Sequence, residues 1–188
     1  PVTGLHYRAY ADAGSHVDYR IAREWSRNFD GGSTYSNVPR GGRLTMGPLW
    51  DYNWAFGNVN YAEGGDIPAY RTDGWNRSFV NFGTWAPWWL RMEQDPDWWQ
   101  QFIDRWTALR EGPLSDAAVN AVVDSLTQPL AAEAAARNFT KWPQLGQFTV
   151  ISPPGWKTRT TYQSEVDYLK TWTQQRSAWM DAQFPPRP

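Results

Sequence analysis

A change of pattern near residue 85 divides the 188-residue chain in two. Beyond it, apolar residues recur at spacings of three and four, the period of a helix with one buried face. Trp98, Phe102, Ile103, Trp106 and Leu109 make one such face, with Asp95 or Asp97 as its cap and Glu111-Gly112-Pro113 as its end. Ser115 predicts the cap of the next helix, with Val119, Val122, Val123, Leu126 and Leu130 directed inward. Pro129 should kink or divide it. A last helix is expected over about residues 163–183, with Val166, Leu169, Trp172 and Trp179 in the core and Pro185-Pro186 as its stop. Residues 144–161 read as a connector with a short strand at 148–151.

Before residue 85, Gly, Asn, Asp and Tyr interrupt every apolar run. Ser15 predicts the cap of a helix reaching about Arg27, with Tyr19, Ala22, Trp25 and Ser26 on its inner face. Asn28 to Gly32 break it, because Asn, Asp and Gly favour turns. Thr34 to Val38 and Arg43 to Met46 then pair as a hairpin around Pro39-Arg40-Gly41-Gly42. Residues 57–84 read as one long loop, a kind that in compact domains is often functional. The expected fold class is α+β, a small β-hairpin region beside a helical bundle. Residues 1–84 carry the loops and hairpin, and 85–188 form the helical region of the same domain.

Composition narrows the function classes. The length supports one domain with a real core. A formal net charge of −1 argues against a nucleic-acid binder that depends on a broad basic face. Cysteine is absent, so disulfide scaffolds, cysteine zinc fingers and thiol catalysis are out. No apolar run approaches the roughly 20 residues of a membrane helix, and no signal peptide is present. The chain begins at Pro1 and is read as a processed product or a fragment. Fourteen Trp stand against 3 Lys. Core and groove packing is the ordinary use of such rings, and a sugar-binding platform is the other. His6 and His16, the only histidines, are expected in surface or capping roles. The cluster Trp85, Trp88 and Trp89 is expected to pack in the core, and Asp18 and Glu24 to pair with arginines.

Two acidic positions stand out by context. Asp30 follows the first helix in Asn28-Phe29-Asp30-Gly31-Gly32, and Asp51 follows the hairpin in Gly47-Pro48-Leu49-Trp50-Asp51-Tyr52-Asn53. A carboxylate at a strand end, flanked by large apolar residues, can be aimed into a cleft. Magnesium takes one or two carboxylates together with phosphate oxygens and water. Phosphoryl transfer needs that metal and a second carboxylate to orient the attacking hydroxyl. On spacing alone the pair is weak, since 19 acidic residues make many such pairs and a loop Asp is usually a turn former or cap.

The segment Val17 to Asn58 resembles the core of the CotH kinase family (spore-coat protein H), a family of atypical protein kinases. The shared pattern is Asn-x-Asp after a helix, a hairpin, then Pro-x-Trp-Asp-x-Asp/Asn and a Phe-Gly, here Pro48 to Asn53 and Phe56-Gly57. Asp95-Pro96-Asp97, Arg105-Trp106, Arg137-Asn138 to Lys141-Trp142, and Glu165 to Asp181 extend the likeness over nearly the whole chain. The resemblance implies a kinase-like C-terminal lobe with ATP and Mg²⁺ or Mn²⁺ as cofactors. It implies Asp30 as the catalytic residue, Asp51 and Asn53 at the metal, and Asn28 and Ser33 at the cofactor-binding loop. Asn53 stands where many members have a second Asp. The implied partners are a nucleotide and a Ser/Thr-bearing protein substrate, and the implied location is extracellular or at a spore or cell surface.

Kinases hold the phosphates with a lysine from an N-terminal lobe. The lysines here, Lys141, Lys157 and Lys170, all come late, so that lobe is expected outside this sequence. The chain alone is therefore expected to bind ATP poorly; calorimetry giving low-micromolar affinity would contradict this. Two other readings stay open: a binding module that grips polysaccharide or protein with Trp, and a structural coat or envelope protein.

Overall fold

The computed structural model describes residues 6–28, 30, 34–60, 68–76, 87–149 and 151–184. After a short 3₁₀ turn at Tyr7–Ala9, these residues form α1 (Ala13–Ser26), β1 (Thr34–Asn37), β2 (Thr45–Leu49), α2 (Pro87–Met92), α3 (Pro96–Arg110), α4 (Asp116–Ala131), α5 (Ala134–Lys141) and α6 (Tyr162–Asp181). The fold is α+β. The core lies between α1, α3 and the C-terminal part of α6.

Helix α1 starts earlier than its sequence suggests. Asp12 is the cap, and its carboxylate accepts the Ser15 amide at 2.8 Å. Ser15 instead turns its hydroxyl to the Asp12 carbonyl and to the Met46 amide, which donates to it at 3.2 Å. This contact pins the hairpin to the helix. Val17, Tyr19 and Ile21 are buried, whereas Ala22 and Trp25 are only half-buried. Opposite them, Trp98, Phe102 and Trp106 of α3 are sealed from solvent, each about 1 % exposed or less. Asp95 caps α3 and Pro96 fills its first turn, where a missing N–H costs nothing.

Several core-facing indoles keep their N–H groups bonded, as polar atoms inside a core generally do, while the fully buried Trp98 Nε1 finds no partner among the described residues. Trp25 donates to Ser177 Oγ at 2.9 Å, Trp106 to Asp181 Oδ1 at 2.9 Å and Trp172 to the Tyr70 carbonyl at 2.7 Å. Among the described tryptophans, Trp50 and Trp142 alone are more than half exposed, at 59 % and 54 %. The abundance of Trp is thus mostly packing. Trp89 joins the core, while Trp85 and the Trp88 side chain lie outside the described residues.

His16 departs from expectation. It is fully buried, and its Nδ1 accepts the Trp89 indole N–H at 3.1 Å. A ring nitrogen that accepts cannot carry a proton, and burial pushes the His16 pKa down against opposing contributions from Leu44 and Asp12. The folded value lies below the ordinary 6.5, so the unfolded chain binds the proton first. Stability is present above about pH 6.5 and is lost as pH falls through the folded pKa. The melting temperature is expected to drop between about pH 7 and pH 5, with a flatter profile in His16→Gln, which does not titrate. Parallel profiles would refute this. His6 behaves as expected, capping the Tyr7 turn by accepting the Arg8 amide at 3.4 Å.

Three further expectations change. The apolar stripe of α4 is largely uncovered: Val122, Leu126 and Leu130 are 56 %, 66 % and 49 % exposed. Pro129 does not divide α4, which continues to Ala131: it removes a single amide donor, and only two residues of helix follow it. Residues 148, 149 and 151 form no strand. Of the loop expected at 57–84, residues 57–60 and 68–75 hold neither helix nor strand, Asn76 is in 3₁₀ conformation, and the rest lies outside the described residues. Asp18 and Glu24 both pair with arginines, Asp18 with Arg105 at 2.7 Å and Glu24 with Arg176 at 3.1 Å.

Candidate functional site

The two motif loops meet at the C-terminal end of α1. Arg27 ends the helix in the left-handed region, at φ 50°. Asn28, 1 % exposed, follows. Its amide donates to Ser26 Oγ at 3.2 Å, and its side-chain oxygen accepts the Asp30 amide at 3.0 Å, an Asx turn that shapes the approach to Asp30. The Asn28 carbonyl accepts from Asn76 Nδ2 at 2.8 Å and Arg23 Nη2 at 3.3 Å. Arg23 also donates through Nη1 to Thr34 Oγ1 at 2.8 Å. One buried guanidinium therefore holds both ends of the segment that bears Asp30. Burial, with the neighbouring Arg20, lowers the Arg23 pKa. Ser33 lies outside the described residues.

The hairpin delivers the second loop. β1 and β2 are antiparallel, with Asn37 opposite Thr45 and a register shift between Thr34 and Ser36. Leu44 exchanges backbone hydrogen bonds with Tyr10 and Asp12, at 2.7 and 2.9 Å, so the hairpin is fastened to the entry of α1. Asp51 leaves β2 exposed and at φ 58°, a conformation Asp tolerates better than most L residues. Beside it Trp50 and Tyr35 stack edge-on, 6.4 Å between ring centres. Tyr52 turns the other way. Burial raises its hydroxyl pKa, with Tyr19 adding to the shift and Arg23 and Asn28 opposing it. The residue after Asp51 is thereby next to the Asn28 turn that carries Asp30.

Farther along, the Phe56 amide donates to the Ser26 carbonyl at 2.7 Å, closing the second loop onto α1. Phe56 is wedged edge-on between Trp25 and Trp172, at 5.3 and 6.1 Å. Gly57 takes φ 77°, its carbonyl accepts Tyr168 Oη at 3.0 Å, and a Cβ there would lie 2.5 Å from the Trp172 ring. Helix α6 thus locks the Phe-Gly step. Gly57→Ala is expected to cost about 2–3 kcal/mol, from the left-handed backbone and the overlap with a packed ring. Chemical unfolding checks this; a change within about 0.5 kcal/mol would show the ring yields freely.

Asn53, exposed, is tied through its carbonyl to Asn58 Nδ2 at 2.8 Å and lines a cleft that neither Asp30 nor Asp51 lines. Among the described residues there is no group of three or more His, Cys, Asp or Glu able to hold a metal. A cation here would rest on Asp51, the Asn53 side-chain oxygen and oxygens brought by its ligand. That donor set suits magnesium carried by a polyphosphate, which needs only one or two protein carboxylates.

The locking residues Tyr168, Trp172 and Arg23 were not singled out for this role by sequence patterning. The i, i+4 spacing of Tyr168 and Trp172 on one helix was the available signal. A model of the CotH kinase protein family matches residues 4–180. No curated protein and no solved structure matches the chain. With its motif loops gathered on α1 and the family match running almost from end to end, the chain belongs to the CotH kinase family.

Proposed function

We propose that this chain is the C-terminal, metal-binding part of a CotH-like protein kinase that transfers the ATP γ-phosphate to Ser or Thr hydroxyls of a secreted or spore-surface protein. The observation that carries the reading is the meeting of the Asp30 and Asp51 loops at the end of α1, joined by the 2.7 Å Phe56–Ser26 hydrogen bond, within a family match over residues 4–180.

Asp51 and Asn53 would hold Mg²⁺ or Mn²⁺, which when bound neutralises charge on the ATP phosphates. Asp30 orients the acceptor hydroxyl and takes its proton as the new oxygen–phosphorus bond forms and the bond to the ADP oxygen breaks. Asn28 holds the Asp30 amide so that the carboxylate does not wander. By the family resemblance, Asn28 and Ser33 would belong to the cofactor-binding loop. Asn53 offers a carbonyl without charge, so metal affinity is lower than with two carboxylates. Positioning is most of what such a site contributes, because phosphoryl transfer asks little covalent chemistry of the protein.

The test is a phosphate-transfer assay on the complete parent protein with Mg²⁺ or Mn²⁺, wild type against Asp30→Ala and Asp51→Ala. Loss in both variants is expected, and undiminished transfer would end this reading.

A further inference from the structure

A cleft of about 510 Å³ opens beside the Asp51 loop, within the size range of ligand sites. That loop forms one wall, through Asn53, Phe56 and Asn58. The connector between α5 and α6 contributes further lining, as do Glu165 and Tyr168 of α6. Whatever occupies it reaches the candidate metal loop directly.

The site is built rather than incidental. Arg159 is 9 % exposed. Its Nε pairs with Glu165 at 3.0 Å, its Nη1 donates to the Pro154 carbonyl at 2.9 Å, and its plane lies 4.1 Å from the Tyr168 ring centre. The third nitrogen, Nη2, has no hydrogen-bond partner among the described residues. Gly155 permits this wrap: it sits at φ 84°, and a Cβ there would approach Arg159 Nη1 to 2.9 Å. Thr149 and Ser152, in the same connector, are joined by an amide-to-hydroxyl bond of 2.8 Å.

Charge and donor type indicate the occupant. Among the described residues, Arg159 and Glu165 are the only charged ones lining the cleft, and they neutralise each other. A highly charged segment gains no complementary partner there. Asn53, Asn58, Gln144 and Gln147 present amides, which donate and accept in the pattern peptide units need. Trp156 and Phe139 add ring surface.

We propose that this cleft seats the acceptor chain: an extended peptide segment with uncharged polar side chains, flanking the hydroxyl to be phosphorylated. This rests on the kinase reading for the word acceptor, but the seat itself does not. Tyr168 both lines the cleft and bonds the Gly57 carbonyl, so an occupied cleft bears on the loop that carries Asp51.

The test is fluorescence anisotropy of the full chain with short Ser-containing peptides, without nucleotide or metal. One set is flanked by Asn, Gln and Thr, one by Lys and Arg, one by Asp and Glu. The uncharged set is expected to bind at least about tenfold more tightly than either charged set, with little dependence on salt. Gln147 is exposed, so Gln147→Glu should fold normally and shift preference toward the basic set. Trp156→Ala should weaken all binding to the cleft. Equal binding of the three sets, or binding of neutral oligosaccharides in place of peptides, would overturn the proposal. In the parent protein, transfer with an unchanged KM for peptide in Gln147→Glu and Trp156→Ala would remove the seat and leave the kinase reading. Uncharged-peptide binding with no transfer would remove the kinase reading and leave the peptide seat.

Discussion

Asp51→Asn in the complete parent protein is expected to lower phosphate transfer by about a hundred- to a thousandfold, with the fold intact. The size is that of removing one preorganised group that stabilises transition-state charge, about 2.7–4 kcal/mol. The choice of variant matters. Asp51 sits at φ 58°, where alanine costs roughly 1–2 kcal/mol of backbone strain and asparagine is tolerated. Asp51→Ala would therefore mix the loss of the proposed metal ligand with a strained turn, whereas Asp51→Asn removes the charge alone. Asp51 is exposed and supports no buried contact among the described residues, so the melting temperature of the asparagine variant should match the wild type. Raising Mn²⁺ should restore part of the lost activity if the charge acts through a cation. Full activity at ordinary Mg²⁺ would remove Asp51 from the metal.

Glu24→Ala should be the most destabilising single change, by about 3–5 kcal/mol, the cost of breaking a buried ion pair from one side. Glu24 is 1 % exposed. Its carboxylate pairs with Arg20 at 2.6 Å and Arg176 at 3.1 Å, and accepts the Asn76 amide at 2.8 Å. Without it, two buried guanidiniums lose a counter-charge at once, and Arg20 retains only Glu93, at 2.9 Å, as an acidic partner. At about 2–4 °C per kcal/mol for a chain of this size, the melting temperature should fall by roughly 6–20 °C. Glu24→Gln keeps an acceptor and should fall between. A loss below about 1 kcal/mol in Glu24→Ala would show that water replaces the carboxylate. The same network reaches the site, since Arg176 also donates to the Thr72 and Gly74 carbonyls, at 3.0 and 2.7 Å, and holds the segment that delivers Asn76 to Asn28. Glu24 thus supports the Asp30 loop from two residues that sequence order places about fifty and a hundred and fifty positions away.

Caps, turns and the hairpin were legible because each is a bargain among neighbours. Ser115 and Asp95 cap their helices through their own oxygens, and the hairpin turns where Pro39 and the two glycines allow it. Asp30 and Asp51 could be named because the motif around each is contiguous. The cap of α1 was misplaced by three residues because Asp12 and Ser15 have equivalent chemistry, and a bond to the distant Met46 amide chose between them. His16 was read as a surface or capping residue because nothing nearby announces Trp89, 73 positions on, as its partner.

From sequence alone came the α+β class, the helices α1, α3, α4 and α6 though neither α2 nor α5, and the likeness to the CotH family that a match over residues 4–180 bears out. Which apolar faces are covered came only from the folded chain. The stripe of α4 and the face of α3 have the same period, yet Trp106 is buried and Leu126 is 66 % exposed. Periodicity records that a residue is apolar and which side it shares, whereas burial depends on whether another element arrives to cover that side. The locking of Gly57 by Tyr168 and Trp172, and the Arg159 cleft, belong to the same class. Their parts come together through closure of loops of up to a hundred residues or more, and no local pattern records where such loops close.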